Sequence, residues 1–270
     1  MSSSTIAEAE FTPSDSLGAG DAVANSPWVV MKFGGTSVSS VASWETVASL
    51  LRNRLDAGLQ PVVVHSALAG VSNALEAVLQ SAADGETSDK LEGIRAQHYE
   101  LAEALHLDGS SLLDETLHEL EQLIAGVRLV REVSVRVRVR IMALGELMAT
   151  TLGAEYLKSA GIPVEWRDAR DLLTSVSRSG GQRPQDYLSA KCETAADPVM
   201  QEELGKLGKV ILTQGFIARN AWGETVLLGR GGSDTSAAYF AARLQARRLE
   251  IWTDVPGMFT ADPRVVPSAR

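Results

Sequence analysis

The run Trp28-Val29-Val30-Met31-Lys32-Phe33 is apolar apart from one lysine and ends in Gly34-Gly35. A short, continuous apolar run closed by glycines reads as a strand buried on both faces that enters a tight turn. The segment Ser39 to Leu59 then has helical spacing, Pro61-Val62-Val63-Val64-His65 is a second buried strand, and the small-residue loop Ser66 to Gly70 leads into a helix from Val71 to Ala83. Apolar strands that alternate with helices demand a largely parallel sheet covered on both faces, with ligands taken at the carboxyl ends of its strands. The fold class is therefore α/β.

Further along, Ser88 to Val130 is helical in spacing, with apolar residues recurring as at Leu101, Leu105, Leu112, Leu113, Leu117, Leu120 and Ile124, and reads as a helical insertion or lid. Val133 to Val139 alternates valine with serine or arginine like a half-exposed strand, but its continuation to Leu157 is helical. A helix from about Val135 resolves that conflict. Strands are expected at Ile162-Trp166, Leu188-Cys192, Val210-Thr213, Thr225-Leu228 and Leu249-Asp254, and a helix over Ser233-Ala246. His98, His106 and His118 read as surface groups on the helical segment, and Arg136, Arg138 and Arg140 as a solvated helix face, with an interface role as the alternative.

Composition narrows the function classes. A chain of 270 residues, 45% hydrophobic, can bury a large single core. Its net charge of -9 opposes attraction to a polyphosphate backbone, so nucleic acid is not an expected partner. One cysteine, Cys192, forms no internal disulfide and no zinc cluster, which fits a reducing cytoplasm. Neither a signal sequence nor a membrane-spanning run is present, so no membrane association is expected. Residues 1-26, rich in Ser, Ala, Gly and acidic side chains, are expected to form a disordered leader.

Chemistry concentrates at three strand ends. At Lys32-Phe33-Gly34-Gly35-Thr36-Ser37, two glycines let backbone N–H groups converge on an anion beside a cation, although a plain turn has the same spacing. At Gly229-Arg230-Gly231-Gly232-Ser233-Asp234, glycines flank an arginine whose planar fork suits a carboxylate, and Ser233 and Asp234 stand where a helix cap belongs. At Trp252-Thr253-Asp254-Val255-Pro256-Gly257-Met258-Phe259, a strand runs into a Pro-Gly turn and an aromatic ring. Glu146 sits within the apolar stretch Ile141 to Leu152, where an unpartnered acid is costly. His65 reads as a packed group near the site rather than a base.

In this order and at these separations, those three segments resemble the aspartokinase family. Ser66-Ala67-Leu68-Ala69-Gly70-Val71-Ser72-Asn73, Gly145-Glu146-Leu147 and Thr213-Gln214-Gly215-Phe216-Ile217 are similar to it too, and the resemblance runs from Trp28 to Arg270. The wording is nearest to lysine-sensitive aspartokinases and to the kinase half of the fused aspartokinase/diaminopimelate decarboxylase, the latter through Ala218-Arg219-Asn220 and Ser233 to Phe240.

The resemblance implies a three-layer α/β/α sandwich of the amino-acid kinase, carbamate kinase-like type, with a mainly parallel central sheet. It implies transfer of the γ-phosphoryl group of MgATP to the β-carboxylate of L-aspartate, the first step of lysine, threonine and methionine biosynthesis. Lys32, Phe33, Gly34, Gly35, Thr253, Asp254, Phe259 and Arg264 would serve ATP. Ser66, Ser72, Glu146, Phe216, Arg230, Gly231, Gly232, Ser233 and Asp234 would bind aspartate, with Lys32, Arg230 and Asp234 closest to the chemistry and no protein-held metal beyond the Mg2+ of the nucleotide. Phe259 stands where the family commonly has tyrosine, and Ser72 where it has threonine. The resemblance also implies a kinase domain over residues 27-270 whose family continues into paired ACT regulatory domains, and a homodimer for the full-length protein. Rival readings are a glutamate, acetylglutamate or uridylate kinase of the same fold, and a non-catalytic amino-acid-binding subunit.

Overall fold

The structure, a computed structural model, describes residues 7–11, 23–86, 89–176 and 183–253. The eight strands among them are β1 (Ala7–Phe11), β2 (Trp28–Phe33), β3 (Gln60–His65), β4 (Val164–Trp166), β5 (Val210–Gln214), β6 (Ile217–Arg219), β7 (Thr225–Leu227) and β8 (Arg248–Thr253). Six form one sheet in the order β1-β8-β2-β3-β5-β4, parallel throughout except for β1, and β6 and β7 form a separate antiparallel hairpin. From β2 the chain adds β3, β5 and β4 on one side and β8 on the other. The carboxyl end of β2 is thus where the winding reverses, the place where open α/β sheets bind ligands.

Helices cover both faces. α1 (Val41–Asp56) and α5 (Val135–Ser159) lie on one, and α8 (Pro198–Leu207) and α9 (Gly232–Arg243) on the other. Side chains alternate accordingly along β2: Lys32 reaches Asp234 of α9, while Phe33 shares a face with His65, whose ring meets Trp44 of α1 edge-on. α2 (Val71–Ala83), α3 (Lys90–Ala104) and α4 (Gly109–Val130) pack together beside α5, so the expected insertion is a helical layer on that helix. Two short helices, α6 (Ala169–Leu172) and α7 (Pro184–Leu188), bracket the hairpin. Among the described residues no helix is long and apolar enough to cross a membrane.

α5 begins at Val135, where Ser134 caps it by accepting from the N–H of Val137 at 3.3 Å. Its alternating arginines fan out to three other parts of the molecule: Arg136 to Glu224, Arg138 to Glu76 and Arg140 to Glu119. They bind the helix to its neighbours rather than merely solvating it.

Three expectations need correction. Ala7–Phe11, inside the supposed leader, forms an edge strand, because β8 otherwise presents an open row of backbone donors and acceptors. Leu188-Cys192 is not a strand: Pro184 at the first helical position, with Asp186 accepting from the N–H of Arg183 at 3.1 Å, starts a helix through Leu188, and only isolated bridges follow at Ser189 and Cys192. His98 is fully buried, one turn beyond Ile94 on the inner face of α3, with Nδ1 2.7 Å from the Ile94 carbonyl.

Candidate active site

Three chain segments converge at the carboxyl ends of β2, β3 and β5. Their approach depends on missing side chains. A Cβ on Gly35 would stand 2.7 Å from the Ala67 carbonyl oxygen, so the loop after β2 can lie against the loop after β3 only with glycine there. A Cβ on Gly215 would stand 2.5 Å from Ser233 Cβ, and one on Gly232 would run into the Phe216 ring. The end of β5 and the start of α9 are therefore in direct backbone contact. Ser39 Oγ, which donates to the Gly35 carbonyl at 2.6 Å and accepts from the Ala69 N–H at 2.9 Å, fastens the first two loops. Between them lies a cleft of about 370 Å³ that includes Gly35, Thr36, Ser66, Ala69 and Ser72 in its lining.

Lys32 leaves the end of β2 and pairs with Asp234, Nζ to Oδ1 2.7 Å. Because half of the Asp234 side chain is exposed, separating this pair costs little, about 0–1 kcal/mol. Ser66 Oγ donates to Ser233 Oγ at 2.9 Å, joining the β3 loop to the first turn of α9. Arg230 is exposed between Gly229 and Gly231, whose φ values of 81° and 68° form a left-handed turn that only glycine adopts freely. Phe216, with φ 70°, is held in the same strained region by its N–H, which donates to Ser236 Oγ at 2.8 Å.

Glu146 approaches from α5 and is 2% exposed, with Oε2 lacking a partner among the described protein groups. Burial pushes its carboxyl up to about 8, against a backbone N–H of Ala67 and the nearby charge of Lys32, which both favour ionisation. A cation delivered to Glu146 would find an acid already desolvated. His65 sits just behind, buried, its Nδ1 2.8 Å from the Ser66 carbonyl, and burial holds it down at about 4, so it stays neutral. That matches a packed group and not a base near pH 7.

The structure thus gathers Lys32, Phe33, Gly34, Gly35, Ser66, Ser72, Glu146, Phe216, Gly231, Gly232, Ser233 and Asp234 around the ends of these strands, with Arg230 on the adjoining turn. Thr253 ends β8 beside β2; Asp254, Phe259 and Arg264 lie outside the described residues. A larger cleft of about 630 Å³, bordered by Tyr187, Lys191, Cys192 and Trp222, contains none of the expected site residues. The site is placed instead where glycine loops, a lysine and a buried acid meet. Sequence reasoning missed Thr150, Gln214 and Ser236, which are buried polar groups tying these segments together. The signal was a glutamine closing an otherwise apolar strand.

The described geometry has close counterparts. The amino acid kinase family model matches residues 27–270. Lysine-sensitive aspartokinase 3 of Escherichia coli strain K12 is 36% identical over 248 residues, covering 90% of this chain and 52% of that protein. The aspartokinase of Chlamydia muridarum is 33% identical over 239 residues, covering 88% of this chain and 50% of its own. Among solved structures, E. coli aspartokinase III in complex with aspartate and ADP (R-state) superposes with a TM-score of 0.76 at 34% identity, covering 90% of this chain and 52% of that one. The chain spans about half the length of the curated relatives it matches.

Proposed function

The chain belongs to the amino acid kinase family, and from that premise we propose that it is an aspartate kinase, transferring the γ-phosphoryl group of MgATP to the β-carboxylate of L-aspartate to give 4-phospho-L-aspartate. The observation that carries the reading is the meeting of Lys32, Asp234 and the buried Glu146 where the glycine-bearing loops touch. Similarity to a structure whose ligands are aspartate and ADP supports it.

In this reading Lys32 turns from Asp234 to the phosphates, and the backbone N–H groups around Gly34 and Gly35 complete the anion site. Glu146 and Asp234 meet the α-ammonium, and Arg230 grips the α-carboxylate with its fork. The β-carboxylate, ionised at neutral pH, attacks the γ-phosphorus in line, so no strong general base is required. One oxygen–phosphorus bond forms as the bond to the β-phosphate oxygen breaks, and ADP leaves with the negative charge. Rate enhancement rests on positioning and on charge neutralisation by Lys32 and the Mg2+ that arrives with the nucleotide. Thr253, Asp254, Phe259 and Arg264 are assigned to the nucleotide on resemblance. A net charge of -9 and a buried thiol at Cys192 support a cytoplasmic protein without nucleic-acid partners. A homodimer for the full-length protein rests on resemblance alone.

The test is hydroxylamine trapping of aspartyl phosphate. Aspartyl hydroxamate is expected from the wild-type chain, with glutamate a poor substitute, and Lys32→Ala should lower kcat by about 100-fold or more. A preference for glutamate, or binding of aspartate and ATP without turnover, would overturn the assignment.

A further inference from the structure

Among the residues assigned to aspartate, Glu146 comes from α5, and Phe216, Gly232 and Ser233 come from the junction of β5 with α9. Two connections join them. In front, Ala67 N–H binds Glu146 and Ser66 binds Ser233, but these groups face the substrate and must change partners when it arrives. Behind runs a relay of side chains that meets the residues assigned to aspartate only at their backbone. Thr150 Oγ1 donates to the Glu146 carbonyl at 2.9 Å and accepts from Gln214 Nε2 at 2.8 Å and Trp166 Nε1 at 3.1 Å. Gln214 Oε1 accepts from the Ala169 N–H at 2.7 Å. Two residues on, the Phe216 N–H donates to Ser236 Oγ at 2.8 Å, and that hydroxyl donates to the Gly232 carbonyl at 2.8 Å.

Thr150, Gln214 and Ser236 are all 0% exposed. The Thr150 hydroxyl uses its donor and both lone pairs, so every hydrogen-bonding site on it is taken and the junction is tightly constrained. Gly215, without room for a Cβ against Ser233, transmits the position of Gln214 directly to α9.

We propose that this relay is a spacer: it fixes the gap between Glu146 and the Phe216–Ser233 wall, and thereby selects aspartate over its homologue one methylene longer, glutamate. Thr150 and Gln214 are positioning residues, acting through Glu146 and Phe216. The inference rests on the aspartate kinase reading. It refines which acceptor the same site admits.

Steady-state kinetics with aspartate, glutamate and ATP test it on the wild-type chain and on Thr150→Val, Thr150→Ser, Gln214→Leu and Gln214→Asn, with folding checked by circular dichroism. Thr150→Val and Gln214→Leu should raise KM for aspartate about tenfold and cut the preference for aspartate over glutamate by a similar factor, the loss expected for a displaced contact. Both kcat and KM for ATP should stay within about threefold, and Thr150→Ser, which keeps the hydroxyl, should restore wild-type values. Gln214→Asn keeps the amide but shortens its reach, and carries the test if the leucine variant does not fold. Folded variants with unchanged KM and preference, or a KM for ATP that rises in step, would overturn the spacer. Wild-type protein that phosphorylates glutamate in place of aspartate would instead overturn the functional reading.

Discussion

The two halves of the sheet are braced against their helices by opposite chemistry. On the side of β2 and β8, Glu250 is buried and takes Arg54 on both oxygens, at 2.8 and 3.1 Å, with Arg248 at 2.6 Å and the Trp252 indole at 3.1 Å. Trp252 in turn stacks on Phe33, centroids 6.3 Å apart at 14°, next to the glycine loop. On the side of β4 and β5, the brace is Thr150 with Gln214 and Trp166, neutral throughout. Each uses an indole N–H, but the first is ionic, with Arg54 and Arg248 on the Glu250 carboxylate, and the second joins neutral groups. The difference fits what each side is proposed to hold. Beside Glu146, already pushed up to about 8, a charged brace would add a field that shifts the ionisation on which the proposed binding depends, and the neutral one adds none.

Removing the charge from the first brace should do the most damage. Glu250→Ala takes the shared carboxylate away from both guanidiniums, and urea denaturation should show a loss of about 3–5 kcal/mol. A loss below about 1 kcal/mol would mean that the ionic brace is ornamental. The neutral brace should yield less: Thr150→Val leaves the Gln214 amide and Trp166 indole donors short of an acceptor, at a cost of about 1–3 kcal/mol in the same assay. Equal losses would erase the contrast.

A third effect is graded in pH. Glu146 has a folded pKa of about 8 against an unfolded 4.5, so between these values the folded state holds more proton than the unfolded one. Its contribution is fully present below pH 4.5 and fades as pH rises through 8, by at most about 1.4 kcal/mol per unit. Glu146→Gln should flatten that slope and stabilise the fold at alkaline pH while weakening aspartate binding. A stability profile that is unchanged by the substitution would show that the carboxyl is not held neutral.

Much of the fold was legible because local and long-range demands agree. Strand β2 and the helix from Val71 to Ala83 follow directly from apolar periodicity. The start of α5 was legible too, once the length of the helical continuation outweighed its valine–arginine alternation; the arginines reach partners on α2, on α4 and in the turn before β7. Leu188-Cys192 misled because the apolar content of a five-residue run is a weaker signal than Pro184 followed by an acid two residues on. The glycine loops showed in sequence as spacing, but their reason did not: Gly35 is required by a carbonyl on Ala67, which is distant in the chain. Nor could one strand reveal that Gln214 would meet Thr150, since that contact spans 64 positions.

Lys32 and Asp234, each the other's counter-ion at 2.7 Å, bear on how two substrates would share the cleft. Whichever ligand comes first must part them, and in doing so releases the remaining charge for the second. In the proposed reading the nucleotide and the amino acid would therefore recruit one another through this exchange of partners, a synergy whose ceiling is the strength of the pair, about fivefold in affinity for 1 kcal/mol. Random-order binding with mutual enhancement is the kinetic signature of that exchange, and it disappears if Asp234 is made neutral.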